Sequence, residues 1–362
     1  MNPKNPRVLL LHVVDRPQQF GGVEKFVLSL AQGLSKSGIP VALAVNEGCL
    51  QEAARTGGIK IFSTGIMKKS HPLAALSKIN AECQKFQPDV VHSHHRYTTL
   101  GAQVLPFRKF CLIHTLHVEL FDKRYIRFFG DHATAVSQAV KNHFVKYFGA
   151  NPAKITLIYY GVEAPAVLRS HDMIYMPRKN PGQVNLVVIG RLEKQKGHEF
   201  LIQALDYISP QIRERLSIAF LGEGSRRDAL QKMISERCLS NVEIMGFQSD
   251  IGGWLEDADF SVLPSLWEGF PLAILESYQC TRPVIATNVA GSPEAVKDGE
   301  TGILVPPRDP KALAEAIVKL ILHPELIKQY GEAGQKLVDQ NFSYKKMISQ
   351  YIQLYQTQLK RK

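Results

Sequence analysis

No stretch of this 362-residue sequence is long and apolar enough to cross a bilayer; its richest runs, VLLLHVV and LVVIG, fall far short of the ~20 residues a span needs. Cysteine is sparse. The five, at 49, 83, 111, 238 and 280, form no CxxC and no spacing that suggests pairing, which excludes a disulfide framework and reads as reduced thiols of a cytoplasmic protein. The start shows no secretory signal pattern. There is no repeat at solenoid period, no low-complexity segment and no G-x-G-x-x-G dinucleotide fingerprint.

What is present is a globular composition, 45% hydrophobic and 21% charged, on a chain long enough for two domains. Charge is uneven. Residues 1–163 carry 20 Lys and Arg against 10 Asp and Glu, while the rest carries 24 against 23, so the net +11 sits almost wholly in the first half. Such asymmetry points to an anionic surface as partner, nucleic acid or membrane. No RRM or KH pattern accompanies it, which sets nucleic acid aside. The inner face of the cytoplasmic membrane remains the candidate peripheral contact. Two basic segments, 68–78 and 120–130, could dock there, or could turn their aromatic residues into a core.

Short β-rich runs alternate with helical patterns in both halves, for example RVLLLHVV (7–14), DVVHSHH (89–95) and FCLIHTLH (110–117), then VNLVVIGRL (184–192), SIAFLGEG (217–224) and FSVLPS (260–265). Near-continuous hydrophobic strands separated by helices predict parallel sheets covered on both faces. The expected class is α/β, two Rossmann-like, doubly wound parallel-sheet domains facing across a deep cleft. Residues 1–163 would form the first, 164–183 an aperiodic linker, and 184–341 the second, with a last helix at 342–362 that could pack back on the first.

Glycines gather where these strands end. Gly21 and Gly22 follow the first strand and lead into a helix, so backbone N–H groups could meet a ligand there. Gly190 closes a buried strand, and Arg191 and Lys196 follow in one loop ahead of a helix, a setting that suits a diphosphate. Gly222 and Gly224 shape the next strand end, with Arg226 and Arg227 at the surface. In SLWEGFPLAILES (265–277), Glu268 lies in the loop after FSVLPS, Pro271 suits the first helical position, and Glu276 falls in the helix's second turn. The N–H groups of Gly269, Phe270 and Leu272 would face the same phosphates. Glu268 would accept from the hydroxyls of a sugar, and Glu276 could take both hydroxyls of a ribose. His92, His94 and His95 form a cluster with no Cys or carboxylate at ligand spacing, so one of them is expected to line the cleft rather than bind metal.

Glu268-x7-Glu276 within EGFPLAILE, together with GRLEKQKG, the GGVE loop and YYGVE (159–163), resembles the retaining glycosyltransferases of family 4, which have the GT-B fold. The resemblance runs over essentially the whole chain. It implies a nucleotide-diphosphate sugar donor and an acceptor site on the N-terminal domain. It further implies transfer of a hexose or N-acetylhexosamine with retention, and no metal or other cofactor. Arg191 and Lys196 would bind the diphosphate, Glu268 the donor sugar and Glu276 the ribose, with Gly21 and Gly22 near phosphates and acceptor. Gly246 and Phe247 would meet the base. His117, preferred to His114 because it ends its strand, would lie beside the donor sugar. A UDP-sugar and a cell-envelope glycan or lipid-linked acceptor are the expected substrates. The alternatives are a GDP-mannose-dependent mannosyltransferase and, less favoured, a UDP-sugar epimerase on the same fold.

Overall fold

The computed structural model describes residues 5–13, 21–63, 72–105, 108–120, 130–165, 174–177 and 182–361, with backbone alone at 72–76. The chain divides into two compact units, one formed by Met1–Tyr160 with Lys345–Lys362, the other by Gly161–Tyr344.

In the first unit the elements follow as β1 (Val8–Leu11), α1 (Gly22–Lys36), β2 (Val41–Val45), α2 (Cys49–Thr56), β3 (Lys60–Ser63), α3 (Pro72–Phe86), β4 (Val90–Ser93), α4 (Arg96–Gln103), β5 (Cys111–Leu116), β6 (His132–Ala135), α5 (Gln138–Phe148) and β7 (Ile155–Leu157). Seven strands make one sheet in the order β3-β2-β1-β4-β5-β6-β7, and every pairing is parallel. Strands β1, β4 and β5 are buried at every residue, as unbroken apolar runs require when both faces are covered. In α1, Phe26, Val27, Leu30, Ala31 and Leu34 recur three and four apart and are buried. Ser137 caps α5 by accepting from the Val140 N–H, and left-handed Gly149 ends it.

The second unit continues as β8 (Val184–Ile189), α6 (His198–Ala204), α7 (Pro210–Arg213), β9 (Leu216–Leu221), α8 (Arg227–Glu236), β10 (Val242–Gly246), α9 (Ile251–Asp257), β11 (Phe260–Leu263), α10 (Leu272–Gln279), β12 (Val284–Thr287), α11 (Ser292–Ala295), β13 (Gly302–Val305), α12 (Pro310–Leu322) and α13 (Pro324–Asn341). Its six parallel strands run β10-β9-β8-β11-β12-β13. The last helix, α14 (Tyr344–Lys360), belongs from Lys345 onward to the first unit.

Both sheets therefore reverse direction once, between β1 and β4 and between β8 and β11. At such a switch point the two loops leaving the strands' C-terminal ends diverge and leave a crevice for a ligand.

The stretch expected as linker is not bare tether where it is described. Tyr175 stacks on Trp254 of α9 at 4.8 Å, and the Tyr175 and Met176 N–H groups both donate to Asp257. Of the two basic segments, residues 121–129 and 68–71 lie outside the described residues.

Candidate functional site

The loops after β8 and β11 meet at the second switch point. After β8, Gly190 and Arg191 lead through a short 3-10 turn, Lys194–Lys196, to Gly197. Gly197 has φ +63 and lies so close to Pro264 that a Cβ would run into its carbonyl oxygen, so only glycine lets the loops approach this closely. The Lys196 Nζ then reaches Glu268 Oε1 at 2.6 Å, across 72 residues of sequence. The same carboxylate oxygen accepts from Ser265 Oγ at 2.7 Å. With the side chains 16% and 7% exposed, this is a largely sheltered ion pair. Removing one partner would leave the other charge poorly compensated.

Glycines line the neighbouring strand ends. Gly190 N–H donates to the Leu221 carbonyl at 3.1 Å, and Gly222 N–H to the Gly246 carbonyl at 2.7 Å. Gly190 packs against the aliphatic stem of Lys196, and a Cβ on Gly222 would strike the Gly190 carbonyl. Gly246 follows with φ +75, and Phe247 beyond it is 55% exposed. Arg191 is exposed and donates to Gln195 Oε1 at 3.3 Å. Glu276 is buried in α10. Pro271 is the residue capping α10 rather than its first helical residue, which is Leu272, a shift of one at a helix end. The Phe270 side chain packs into the unit, against Phe342 at 5.1 Å, so only its backbone could serve a ligand. Gly269 lies in the turn between Glu268 and α10.

In the first unit the switch point is lined by histidines. His92 is fully buried, its Nδ1 bonded to Tyr355 of α14 and its Nε2 to Thr115, both at 2.7 Å. His114 Nδ1 takes Thr99 Oγ1 at 2.8 Å. His117, one residue past β5, has both ring nitrogens engaged, Nδ1 with Tyr160 Oη at 2.6 Å and Nε2 with His94 Nδ1 at 3.3 Å. Burial, and then neighbouring histidines, push His94 and His117 well below the ordinary imidazole range. Burial likewise brings His92 down to about 3 and His114 to about 4. The cluster is therefore neutral at pH 7 and contributes nothing to the positive charge of this half.

Two contacts bear on the expected ligand groups. Of the three clustered histidines, His92 is the one held by α14. The Gly21 N–H is already taken by Glu24 Oε2 at 3.0 Å, inside the first turn of α1, so a phosphate there would have to displace a carboxylate. Burial alone would raise the Glu24 carboxyl, but the His12 hydrogen bond and charge, with the Gly21 N–H, hold it below the usual range. Gly22 opens α1. Among the described residues no group of three His, Cys, Asp or Glu side chains could hold a metal ion. Tyr160 and Ser265 stood inside stretches already singled out, yet nothing local marks a hydroxyl as the partner of a distant His or Glu.

The family model described as Glycosyltransferase Family 4 matches residues 20–164, and that described as Glycosyl transferases group 1 matches residues 183–323. An uncharacterized glycosyltransferase of Methanocaldococcus jannaschii is 27% identical over 231 residues, 62% of this chain and 58% of that protein. A glycogen synthase of Mycobacterium tuberculosis is 27% identical over 305 residues, 77% of this chain and 71% of the other. Among solved structures, HepE of Anabaena in complex with UDP-glucose superposes with a TM-score of 0.85 at 21% identity, covering 98% of this chain and all of that one. Two parallel-sheet α/β units, the two matched family domains that fill most of the chain and a shared GT-B architecture together place this protein among the GT-B glycosyltransferases of family 4.

Proposed function

We propose that the protein is a retaining glycosyltransferase that moves a hexose or N-acetylhexosamine from a UDP-sugar to a cell-envelope glycan or lipid-linked acceptor. The observation that carries this reading is the meeting of Lys196 with Glu268 at the β8/β11 switch point, with Arg191 in the same loop. A cation and a hydroxyl-binding carboxylate side by side suit the junction between a diphosphate and a sugar. On donor arrival the β-phosphate takes over Lys196, which frees Glu268 to accept hydrogen bonds from the sugar hydroxyls.

Arg191 and Lys196 neutralise the charge that develops on the departing diphosphate, the work a divalent ion does at other sites. Gly269 and Leu272, ahead of the first N–H that finds a carbonyl within α10, offer N–H groups and the positive end of the helix to the same oxygens. Glu276 holds the ribose, and the backbone at Gly246 and Phe247 meets the base. In the first unit, His117 is the residue assigned to a sugar hydroxyl, and Gly21 and Gly22 those assigned to the acceptor. The acceptor hydroxyl attacks on the face the diphosphate leaves, and a β-phosphate oxygen receives its proton, so configuration is retained without an enzyme nucleophile. Binding of UDP-glucose by HepE on the same fold supports a UDP-sugar as the donor to test first.

A thermal-shift panel of UDP, GDP and ADP sugars tests the donor, since a bound ligand raises the melting temperature with the logarithm of its saturation. The reading expects a UDP-sugar to stand out, and a GDP-sugar doing so would redirect it to mannosyl transfer. Turnover of UDP-sugar without acceptor would indicate epimerisation. The anomeric signal of the product decides retention, and sedimentation with anionic against neutral vesicles decides membrane contact.

A further inference from the structure

We infer that Gln195 is a positioning residue that sets the spacing between the two halves of the donor site, an inference that rests on the roles proposed above for Arg191, Lys196 and Glu268. Gln195 occupies the middle of the 3-10 turn after β8, directly before Lys196. Its backbone carbonyl accepts from the Leu266 N–H at 2.7 Å. Its side-chain Nε2 donates to the Trp267 carbonyl at 2.9 Å, one residue ahead of Glu268. Its Oε1 accepts from Arg191 Nη2 at 3.3 Å. The amide has one usable orientation, because flipping it would set N–H against guanidinium N–H and carbonyl against carbonyl. A single uncharged side chain thus touches both the cation loop and the turn that carries Glu268.

A second side-chain bridge between these loops is the Lys196–Glu268 ion pair, which a diphosphate would dissolve by claiming Lys196. A phosphate does not compete for the amide's donation to the Trp267 carbonyl, and Arg191 has N–H groups to offer it besides the one that meets Gln195. Gln195 therefore keeps the two loops in register at the moment the ion pair opens, when Glu268 must stay where the sugar hydroxyls arrive. Misplacement of such a group by ~1 Å costs on the order of 10²-fold in rate.

Two variants separate its contacts. Gln195→Glu keeps an acceptor for Arg191 but sets a carboxylate oxygen against the Trp267 carbonyl. Gln195→Met keeps the bulk and loses both side-chain contacts. Calorimetry with UDP and UDP-glucose, or with GDP and GDP-mannose should the wild type prefer guanine, reads the consequence. Gln195→Met, which adds no charge, is expected to bind the free nucleotide within about twofold of wild type, while losing roughly tenfold or more in nucleotide-sugar affinity and kcat. Gln195→Glu is expected to weaken both, because its carboxylate also competes with the diphosphate for Arg191. Wild-type affinities in both variants, or equal losses for nucleotide and nucleotide sugar that simply follow a lowered Tm, overturn the inference. A wild type that binds none of these probes, or a Glu276→Ala variant with unchanged nucleotide affinity, overturns the functional reading instead. The crystal structure of Gln195→Met with the preferred nucleoside diphosphate bound, the state in which the Lys196–Glu268 pair is open, then decides the positioning contact by itself. A displaced Trp267 carbonyl and Glu268 support it, and an unmoved turn refutes it.

Discussion

The two switch points have the same topology and opposite chemistry. Between β1 and β4 the first unit gathers imidazoles, held neutral by burial and tied to Tyr160, Tyr355 and Thr115. Between β8 and β11 the second unit sets a lysine against a glutamate beside glycine-lined strand ends. The winding of a doubly wound sheet decides where a ligand can sit, and the residues delivered there decide what it is. A neutral, hydrogen-bonded wall suits hydroxyl-rich sugar and acceptor groups. An ionic pair that can be opened suits a diphosphate.

That contrast breaks first at Lys196. Lys196→Ala should lower kcat by about 10²–10³-fold with the nucleotide sugar that the thermal-shift panel selects, as loss of a donor to developing charge does elsewhere. The loss should be far smaller when a buried imidazole of the first unit loses one hydrogen-bond partner, as His92 does on removal of the Thr115 hydroxyl. Steady-state kinetics of Lys196→Ala beside Thr115→Val makes that comparison, and equal losses would erase the distinction.

Acid should separate the units next. His92 and His114 have folded-state values near 3 and 4, below the ~6.5 of an unfolded imidazole, and His94 and His117 are lowered as well. The unfolded chain then binds more protons than the folded one as pH falls from about 6.5 toward 4. The stability these neutral histidines contribute is complete above pH 6.5 and is lost progressively through that window, by about 1.4 kcal/mol per pH unit for each group fully engaged. In the second unit His198 is similarly lowered, to about 3 by burial and then Lys196, but it stands apart from any such cluster. Hydrogen exchange at pH 5 should therefore rise in β4 and β5 before it rises in β8 and β9. The reverse order would contradict the assignment of neutral imidazoles to the first unit.

Smaller effects sharpen the picture. Glu276→Ala should weaken nucleotide binding by about 10–100-fold, the range for hydrogen bonds to a charged group, with little change in kcat at saturating donor. Isothermal titration with the free nucleotide reads it. Tyr355→Phe removes the hydroxyl that meets His92 Nδ1 and should cost about 1–2 kcal/mol of stability through an unsatisfied buried nitrogen. Denaturant unfolding measures that loss, and the midpoint should fall without a change in donor affinity.

Much of this was legible in local pattern. Apolar strands alternating with amphipathic helices stated two parallel sheets. Glycines at strand ends follow from backbone sterics that any sequence must answer nearby. EGFPLAILE and GRLEKQKG mark two loops that the second unit brings together through Lys196 and Glu268. Partnerships were not legible. Nothing near His117 in sequence says that Tyr160 and His94 occupy both its nitrogens. A single imidazole carries the same local pattern whether its polar atoms are free or spoken for.

The sequence by itself determined the elements, their periods and the residue types gathered at each strand end, because these are set by the conformational preferences and burial of neighbours along the chain. Only the tertiary structure decided which ends would be adjacent. Placing β8 beside β11 brought Lys196 to Glu268 across 72 residues and set Gln195 between them, and folding α14 into the first unit gave His92 its tyrosine. Contacts of that range depend on strand order and on the packing of a whole sheet, which no window of sequence contains.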